Sequence, residues 1–357
     1  MLKVMKGYER QIEHKENPFS LTFGKEPFSI IDQHIQNMEV IESFLSPNPA
    51  FQVCMLTGVR GSGKTVSLTT ISNEFKSYED WIVVELNQER NLLEALTSEL
   101  CARETLSNIL KIDKVGISAF GFGVEVNKQA PFTDIVTVLD KLLCKLTENN
   151  KKLLIAIDEV SSNQNIKEFV AQFQIFLRKN YKVFLLMTGL YENIYELQNE
   201  KTLTFLYRAP KIETKPLNIG MIMHKYQDIF NLSDENALKM ARLTKGYPFA
   251  YQVLGYLCFK FQTTYDQVTP EYDAYLEDFV YAKIWSELSG QDRNVLHAMA
   301  KSPNTKVEDI RNMLNMTSGN FSIYRKRLLK KGVVATTNYG HLDFVLPRFR
   351  EFVMRNE

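Results

Sequence analysis

Gly58-Val59-Arg60-Gly61-Ser62-Gly63-Lys64-Thr65 satisfies the G-x-x-x-x-G-K-[ST] pattern of a phosphate-binding loop. Its glycines let the backbone turn so that successive N–H groups face one concavity, at the N-terminus of the helix that follows. Those amides suit phosphate oxygens. In this pattern Lys64 reaches the β- and γ-phosphates, and Thr65 offers its hydroxyl to Mg2+. Just upstream, Phe51-Gln52-Val53-Cys54-Met55-Leu56 is an apolar run of strand length. Downstream, Val66 to Phe75 has helical spacing with no Pro or Gly. Strand, glycine loop, helix is the context the pattern requires. Gly58 to Val66 is therefore expected to hold ATP with Mg2+.

A second motif lies downstream. Lys152-Leu153-Leu154-Ile155-Ala156-Ile157-Asp158-Glu159 is an apolar strand ending in two carboxylates. A parallel sheet that carries the phosphate loop at one edge needs an acid at the same edge to hold the Mg2+ shell, and Asp158 is placed for it. Glu159 beside it can orient and deprotonate a water. Trp81 to Leu86 and Val183 to Met187 read as further buried strands, and Lys211 to Pro216 as a final one. Helical patterns run over Leu92 to Leu110, Ile135 to Leu146, Ile166 to Leu177 and Tyr191 to Leu197. Strands alternating with helices predict a five-stranded parallel sheet with helices on both faces. Val115 to Val126, with Gly116, Gly121 and Gly123, reads as an inserted hairpin.

From Met221 the periodicity is wholly helical, over Met221 to Phe230, Glu235 to Thr244, Tyr247 to Phe261 and Pro270 to Leu288. This is the pattern of a small all-α lid. Pro248 falls near a helix start, where its missing N–H costs little, and Gly246 fits a C-cap. The last segment has three short helical patterns, ending with Ser318 to Lys331. Val333 to Thr336, a turn at Asn338-Tyr339-Gly340, and Leu342 to Val345 follow. Three helices and a β-turn-β pair describe a winged helix-turn-helix. No acidic residue lies between Asp309 and Asp343, whereas Arg311, Arg325, Lys326, Arg327, Lys330 and Lys331 do. Arg325, Lys326, Lys330 and Lys331 are expected near DNA phosphates, and Asn320 and Ser322 near base edges.

Bulk properties are ordinary for a globular chain. With 43 Lys and Arg against 42 Asp and Glu, the formal charge of +1 makes no global argument for nucleic acid or anionic membrane. Cys54, Cys101, Cys144 and Cys258 lie far apart in apolar segments without metal-ligand spacing, as expected for thiols in a reducing cytoplasm. Neither an export signal nor a membrane span is expected.

Together these residues resemble the P-loop ATPases of the AAA+ and STAND branches, especially archaeal-type and replication-initiator-like ATPases with a winged helix after a helical lid. The resemblance implies that Gly58 to Thr65 is Walker A and that Ile155 to Glu159 is Walker B. Thr188 matches the sensor-1 position, which contacts the γ-phosphate or attacking water. Phe23-Gly24-Lys25-Glu26 is similar to the box beside the adenine, so Gly24 joins the nucleotide-binding candidates. Arg208 occupies the place where the family often carries an arginine finger acting on a neighbouring copy, which implies a homo-oligomer. AAA+ lids usually carry an arginine after a glycine, but Tyr247 to Phe259 holds no Lys or Arg. Gly246-Tyr247-Pro248 instead resembles the G-x-P of STAND proteins, so Pro248 is also a nucleotide-binding candidate.

The expected organisation is an ATPase domain over 1–218, a lid over 219–288 and a winged helix over 289–357. The expected function is a Mg2+-dependent ATP-hydrolysing switch, with Lys64, Glu159, Thr188 and Arg208 as catalytic candidates and duplex DNA as partner. The alternative is a slow or non-enzymatic STAND-like regulator whose winged helix packs internally or binds a protein.

Overall fold

The computed structural model describes residues 16–22, 29–31, 34–103 and 135–356. The strands are β1 (Val53–Thr57), β2 (Trp81–Leu86), β3 (Lys152–Ile157), β4 (Val183–Gly189) and β5 (Lys211–Glu213). They form one sheet in the order β2-β3-β4-β1-β5, parallel throughout. Because side chains alternate along a strand, the sheet divides its apolar residues between two cores. Cys54, Leu56, Val83, Leu154, Ala156, Phe184 and Leu186 face α1 (His34–Leu45) and α2 (Lys64–Lys76). Val53, Met55, Ile82, Val84, Leu153, Ile155 and Leu185 face the other way. There they meet α3 (Leu92–Ala102), α4 (Ile135–Glu148), α5 (Gln164–Arg178) and α6 (Tyr191–Gln198). Burial on both faces is why these strands read as continuous apolar runs.

Register fixes the level of the functional edge. Ile157 pairs with Met187, and Met187 pairs with Met55. Asp158 and Thr188, one residue further on, therefore stand at the height where β1 runs into the glycine loop. Before β5, the segment Thr204–Arg208 is a single 3-10 turn.

The helical region comprises α7 (Ile219–Phe230), α8 (Asp234–Leu243), α9 (Pro248–Phe261), α10 (Thr269–Leu276), a π-helical turn (Glu277–Tyr281) and α11 (Ala282–Ser286). The single helix expected over Pro270 to Leu288 is thus widened in its middle. Tyr272, Leu276, Val280, Ile284 and Leu288 are all buried at four-residue intervals. In an α-helix each such step overshoots a full turn by about 40°. The wide turn takes up that drift and keeps the row on one side.

The winged helix follows: α12 (Gly290–Lys301), α13 (Val307–Met313), α14 (Ser318–Lys330), then β6 (Val334–Thr336) antiparallel to β7 (Leu342–Phe344). Ser289 and Asp292 close a capping box at the start of α12. A further helix not expected from the sequence, α15 (Phe349–Arg355), turns Phe349, Phe352 and Val353 inward. Phe349 and Phe352 place their rings 5.0 and 5.6 Å from that of Tyr281. Arg348 holds Asp273 of α10 through hydrogen bonds of 2.8 and 2.7 Å. Lid and winged helix consequently share one contiguous core, and Ser289 marks a turn inside it rather than a linker.

The helix expected over Leu92 to Leu110 ends at Ala102, because Arg103 is already extended (φ −82°, ψ 114°), short of the expected end. Residues 104–110, the hairpin expected over Val115 to Val126, and the Phe23 to Glu26 box with Gly24 lie outside the described residues. Among the described residues, no helix is long and apolar enough to cross a membrane.

Candidate nucleotide site

The loop after β1 turns through positive φ at Gly61 (70°) and Gly63 (88°), conformations that side chains rarely adopt. Gly58 is constrained by space: a Cβ there would lie 2.0 Å from Thr214 Oγ1. Thr214 follows β5 and buttresses the loop from behind, donating to Thr57 O at 3.2 Å and bonding Ser62 Oγ at 2.7 Å. Lys64, in the first turn of α2, folds over its own loop and donates to Gly58 O (3.1 Å) and Val59 O (2.7 Å). Burial lowers its pKa to about 8 from an ordinary 10.5, while the carboxylates of Asp158 and Glu159 pull it upward and Arg60 pushes it down.

Thr65 Oγ1 donates to Asp158 Oδ2 at 2.7 Å. A hydroxyl and a carboxylate brought together are hard oxygen donors of the kind Mg2+ takes, so this pair fits the ion that both motifs imply. The other oxygen of Asp158 accepts a hydrogen bond from Thr188 Oγ1. Glu159 sits in the left-handed region (φ 52°), with its N–H pointing to Thr188 Oγ1 at 3.1 Å and Asp158 Oδ1 at 3.0 Å. Its exposed side chain lines the cavity over the phosphate loop. Non-glycine residues enter this region only when surrounding bonds hold them there.

One of those bonds comes from Gln88, which the sequence reading did not single out. Its Nε2 donates to Glu159 O at 2.7 Å, while its Oε1 accepts from Ser161 N, Ser161 Oγ and Asn163 Nδ2 at 2.8, 3.0 and 3.1 Å. Only its place, just past the strand neighbouring β3, could have signalled it. Thr188 differs from the sensor-1 expectation. It is fully buried and absent from the cavity lining, its hydroxyl committed to Asp158 and Glu159. It therefore positions the acidic pair. Beyond β4, a polar side chain lining the cavity is that of Asn193, in the first turn of α6, which spacing to the motifs did not reveal.

The cavity has a volume of about 660 Å³. Gly61, Gly63, Lys64, Thr65 and Val66 form one end; Ile30, Ile31, Leu217 and Tyr251 supply apolar wall. The lid closes it from above. Tyr247 donates its phenol to Arg60 O, Phe249 N–H points to Gly61 O at 3.2 Å, and Pro248 lines the cavity at the start of α9. The N-terminal arm completes the wall through Ser20, Leu21 and Thr22, tied to α9 by Gln252, whose Oε1 accepts from Ser20 N at 3.0 Å. Arg208 is exposed on the 3-10 turn and does not reach the cavity of its own chain.

Val59 and Arg60 also face the C-terminal half, although Arg60 lines the cavity as well. Arg60 pairs with Glu287 at 2.9 Å. Val59 abuts Gly332, where a Cβ would lie 2.4 Å from Val59 Cγ1. Lys331 pairs with Glu192 of α6 at 2.6 Å, and the Lys330 ammonium lies 3.7 Å from the ring centre of Tyr195. These contacts correct the expectation that Lys330 and Lys331 stand open to a phosphate backbone. Both are turned inward by the packing of the winged helix on α6. Asn320, Ser322 and Lys326 are exposed, and Arg325 is half-buried with Nη2 3.3 Å from Thr336 Oγ1.

Residues 277–353 match a family model described as a domain of unknown function, DUF8462. No curated protein matches the chain. Among solved structures, the Walker-type ATPase of Pyrococcus abyssi superposes with a TM-score of 0.62 at 15% identity, covering 91% of this chain and 96% of that one. The ORC2 protein of Aeropyrum pernix, determined as ADPNP–ADP complexes, gives 0.56 at 14% identity, covering 94% and 96%. Cdc6p of Pyrobaculum aerophilum gives 0.46 at 14% identity, covering 94% and 96%. The chain thus has the α/β P-loop ATPase fold with helical C-terminal extensions, similar to archaeal Walker-type and initiator-type ATPases.

Proposed function

We propose that this chain binds ATP with Mg2+ and hydrolyses it, using nucleotide state to control how the lid and winged helix pack on the phosphate loop. The observation that carries this reading is that Thr65, Asp158 and Glu159 line one cavity with Lys64 and are linked to one another through hydrogen bonds that include the buried hydroxyl of Thr188. In this reading the loop amides and Lys64 hold the β- and γ-phosphates, which requires Lys64 to exchange its bonds to Gly58 O and Val59 O for phosphate oxygens. Thr65 and Asp158 would hold Mg2+, which supplies charge neutralisation on the β- and γ-oxygens. Glu159 orients water for in-line attack and accepts its proton, while Thr188 and Gln88 fix the backbone that carries it.

The switch follows from shared residues. Arg60 gives its carbonyl to Tyr247 of the lid and its guanidinium to Glu287 beside the winged helix. Movement of the loop on nucleotide exchange would therefore be felt by both. Released from its contacts with Glu192 and Tyr195 of α6, the basic face of α14 would meet duplex DNA. A second reading, a regulator that holds nucleotide without appreciable turnover, is favoured by the direct docking of Tyr247 and Phe249 on the loop in place of a basic lid residue.

One experiment separates them. ATP turnover and equilibrium nucleotide binding are measured together on the wild type and on Glu159→Gln. Binding retained with turnover reduced by about 100-fold supports the hydrolase. Tight binding with negligible turnover in both supports the regulator.

A further inference from the structure

We propose that Arg60 is the residue by which the site tells ATP from ADP: its guanidinium leaves Glu287 for the γ-phosphate when ATP is bound, and returns to Glu287 when that phosphate is gone. This rests on the reading of the cavity as a nucleotide site. Arg60 lines the main cavity and also a small one of about 30 Å³ on the side of the winged helix, which it shares with Glu287. Among the described residues that line the main cavity, Lys64 and Arg60 are the two cations. Lys64 marks the β- and γ-phosphate end, and it now bonds the carbonyls of Gly58 and Val59, the two residues just before Arg60. The two cations share one field, since the charge of Arg60 pushes the Lys64 pKa down. The lid helix offers no substitute: Tyr247 to Phe259 holds no Lys or Arg.

The present bonding of Arg60 is incomplete. Its Nη2 donates to Glu287 Oε1 at 2.9 Å, while Nε is buried and has no hydrogen-bond partner among the described residues. Every guanidinium nitrogen is a donor, so the shortfall does not depend on how the group is turned. A buried donor without an acceptor bears the full cost of its lost hydration. The bond it does make is readily exchanged, because the two side chains are 33% and 30% exposed and water screens such a pair. A terminal phosphate carries more charge than a carboxylate, and a guanidinium takes two of its oxygens side by side. Glu287 is not left alone, since the Lys283 ammonium stands 3.4 Å from the same Oε1. ADP has no γ-phosphate, so with ADP the pair persists. Glu287 caps α11 two residues before Ser289 opens α12, so ATP would loosen the tie between the phosphate loop and the start of the winged helix.

The test is equilibrium binding of ADP and of a non-hydrolysable triphosphate, β,γ-imido-ATP, to the full chain with Mg2+. Arg60→Ala is expected to weaken the triphosphate by about 10-fold and ADP by less than about twofold. Glu287→Gln removes the competing charge, so it should tighten the triphosphate by about threefold with ADP little changed. In the double variant that gain should vanish, because it needs Arg60. The opposite signs are diagnostic. A pair that only braced the loop would lose the same contact in either variant, so both variants would move both nucleotides in one direction. Equal losses for the two nucleotides in Arg60→Ala overturn the assignment, as does an unchanged triphosphate affinity there. Failure of Glu287→Gln to tighten the triphosphate overturns it too, and that comparison leaves Arg60 in place. If the wild type binds neither nucleotide, the nucleotide reading itself falls and this inference with it; if it binds both and the variants behave as a brace would, the role of Arg60 alone is removed.

Discussion

The Lys331 ammonium lies 2.6 Å from the Glu192 carboxylate, joining the C-terminal end of α14 to the helix that follows β4. Lys331 is the more buried partner, at 15% side-chain exposure against 38% for Glu192. Together with Lys330 over Tyr195, it withdraws two cations from the surface of α14. DNA affinity in this closed arrangement should depend on Arg325 and Lys326. Two neutralised phosphates give a slope of log affinity against log salt of about −1.8, and four give about −3.6. Glu192→Ala with Tyr195→Ala should move the slope from the first value toward the second. A duplex-binding titration at several salt concentrations reads it directly; an unchanged slope would remove the idea that α6 masks the basic helix.

The phosphate loop is braced by Thr214, and this brace is what forbids a side chain at position 58. In Gly58→Ala the new Cβ would fall 2.0 Å from Thr214 Oγ1 and 2.5 Å from Ser62 Oγ, so the loop must shift. ADP affinity should drop by about 10-fold or more. Removing the more severe clash with Thr214→Ala in the same chain should recover part of that loss. Calorimetric titration of the single and double variants checks it, and additive losses would show that the contact with Thr214 is not the cause.

The two Walker segments were legible because their chemistry is local. Glycine spacing, the following Lys and Thr, and a strand ending in Asp158 and Glu159 all lie within short windows. The sheet was legible for the same reason, since strands buried on both faces show as unbroken apolar runs. What escaped depends on contacts between distant segments. Thr188 ends its strand where a sensor would, but only the register of β3 against β4 shows that its hydroxyl is consumed by Asp158. Lys330 and Lys331 read as open cations until the packing of α14 on α6 pairs them. Gln88 belongs to no motif. A lone amide in a chain has no periodicity to betray it, and its role emerges only from burial and partners. The single core under lid and winged helix, with Phe349 and Phe352 against Tyr281, likewise crosses about 70 residues of chain.

Lys64 now spends its ammonium on two carbonyls of its own loop. Lys64→Ala therefore frees the loop but removes the charge that would span the phosphates, each charge-assisted bond being worth about 1.5–3 kcal/mol. ATP affinity should fall by about 100-fold or more, with the fold retained by circular dichroism. Parent-like affinity in a folded variant would place the phosphates elsewhere.

Arg208 is exposed on the 3-10 turn before β5 and does not line the cavity of its own chain. If it acts, it acts on a neighbouring copy. Tyr207 beside it is 73% exposed, so the turn presents an aromatic ring and a guanidinium together at the sheet's outer edge. A finger supplied between copies can be worth about 1,000-fold in rate. Specific ATPase activity should then rise with protein concentration as copies associate. Arg208→Ala should abolish that rise while leaving nucleotide affinity unchanged. The decisive complement is mixing: Arg208→Ala, which keeps an intact cavity, combined with Lys64→Ala, which keeps the finger, should recover activity that neither has alone. A flat concentration profile in a sample shown to be monomeric, with no recovery on mixing, would leave Arg208 as a surface residue at the sheet edge.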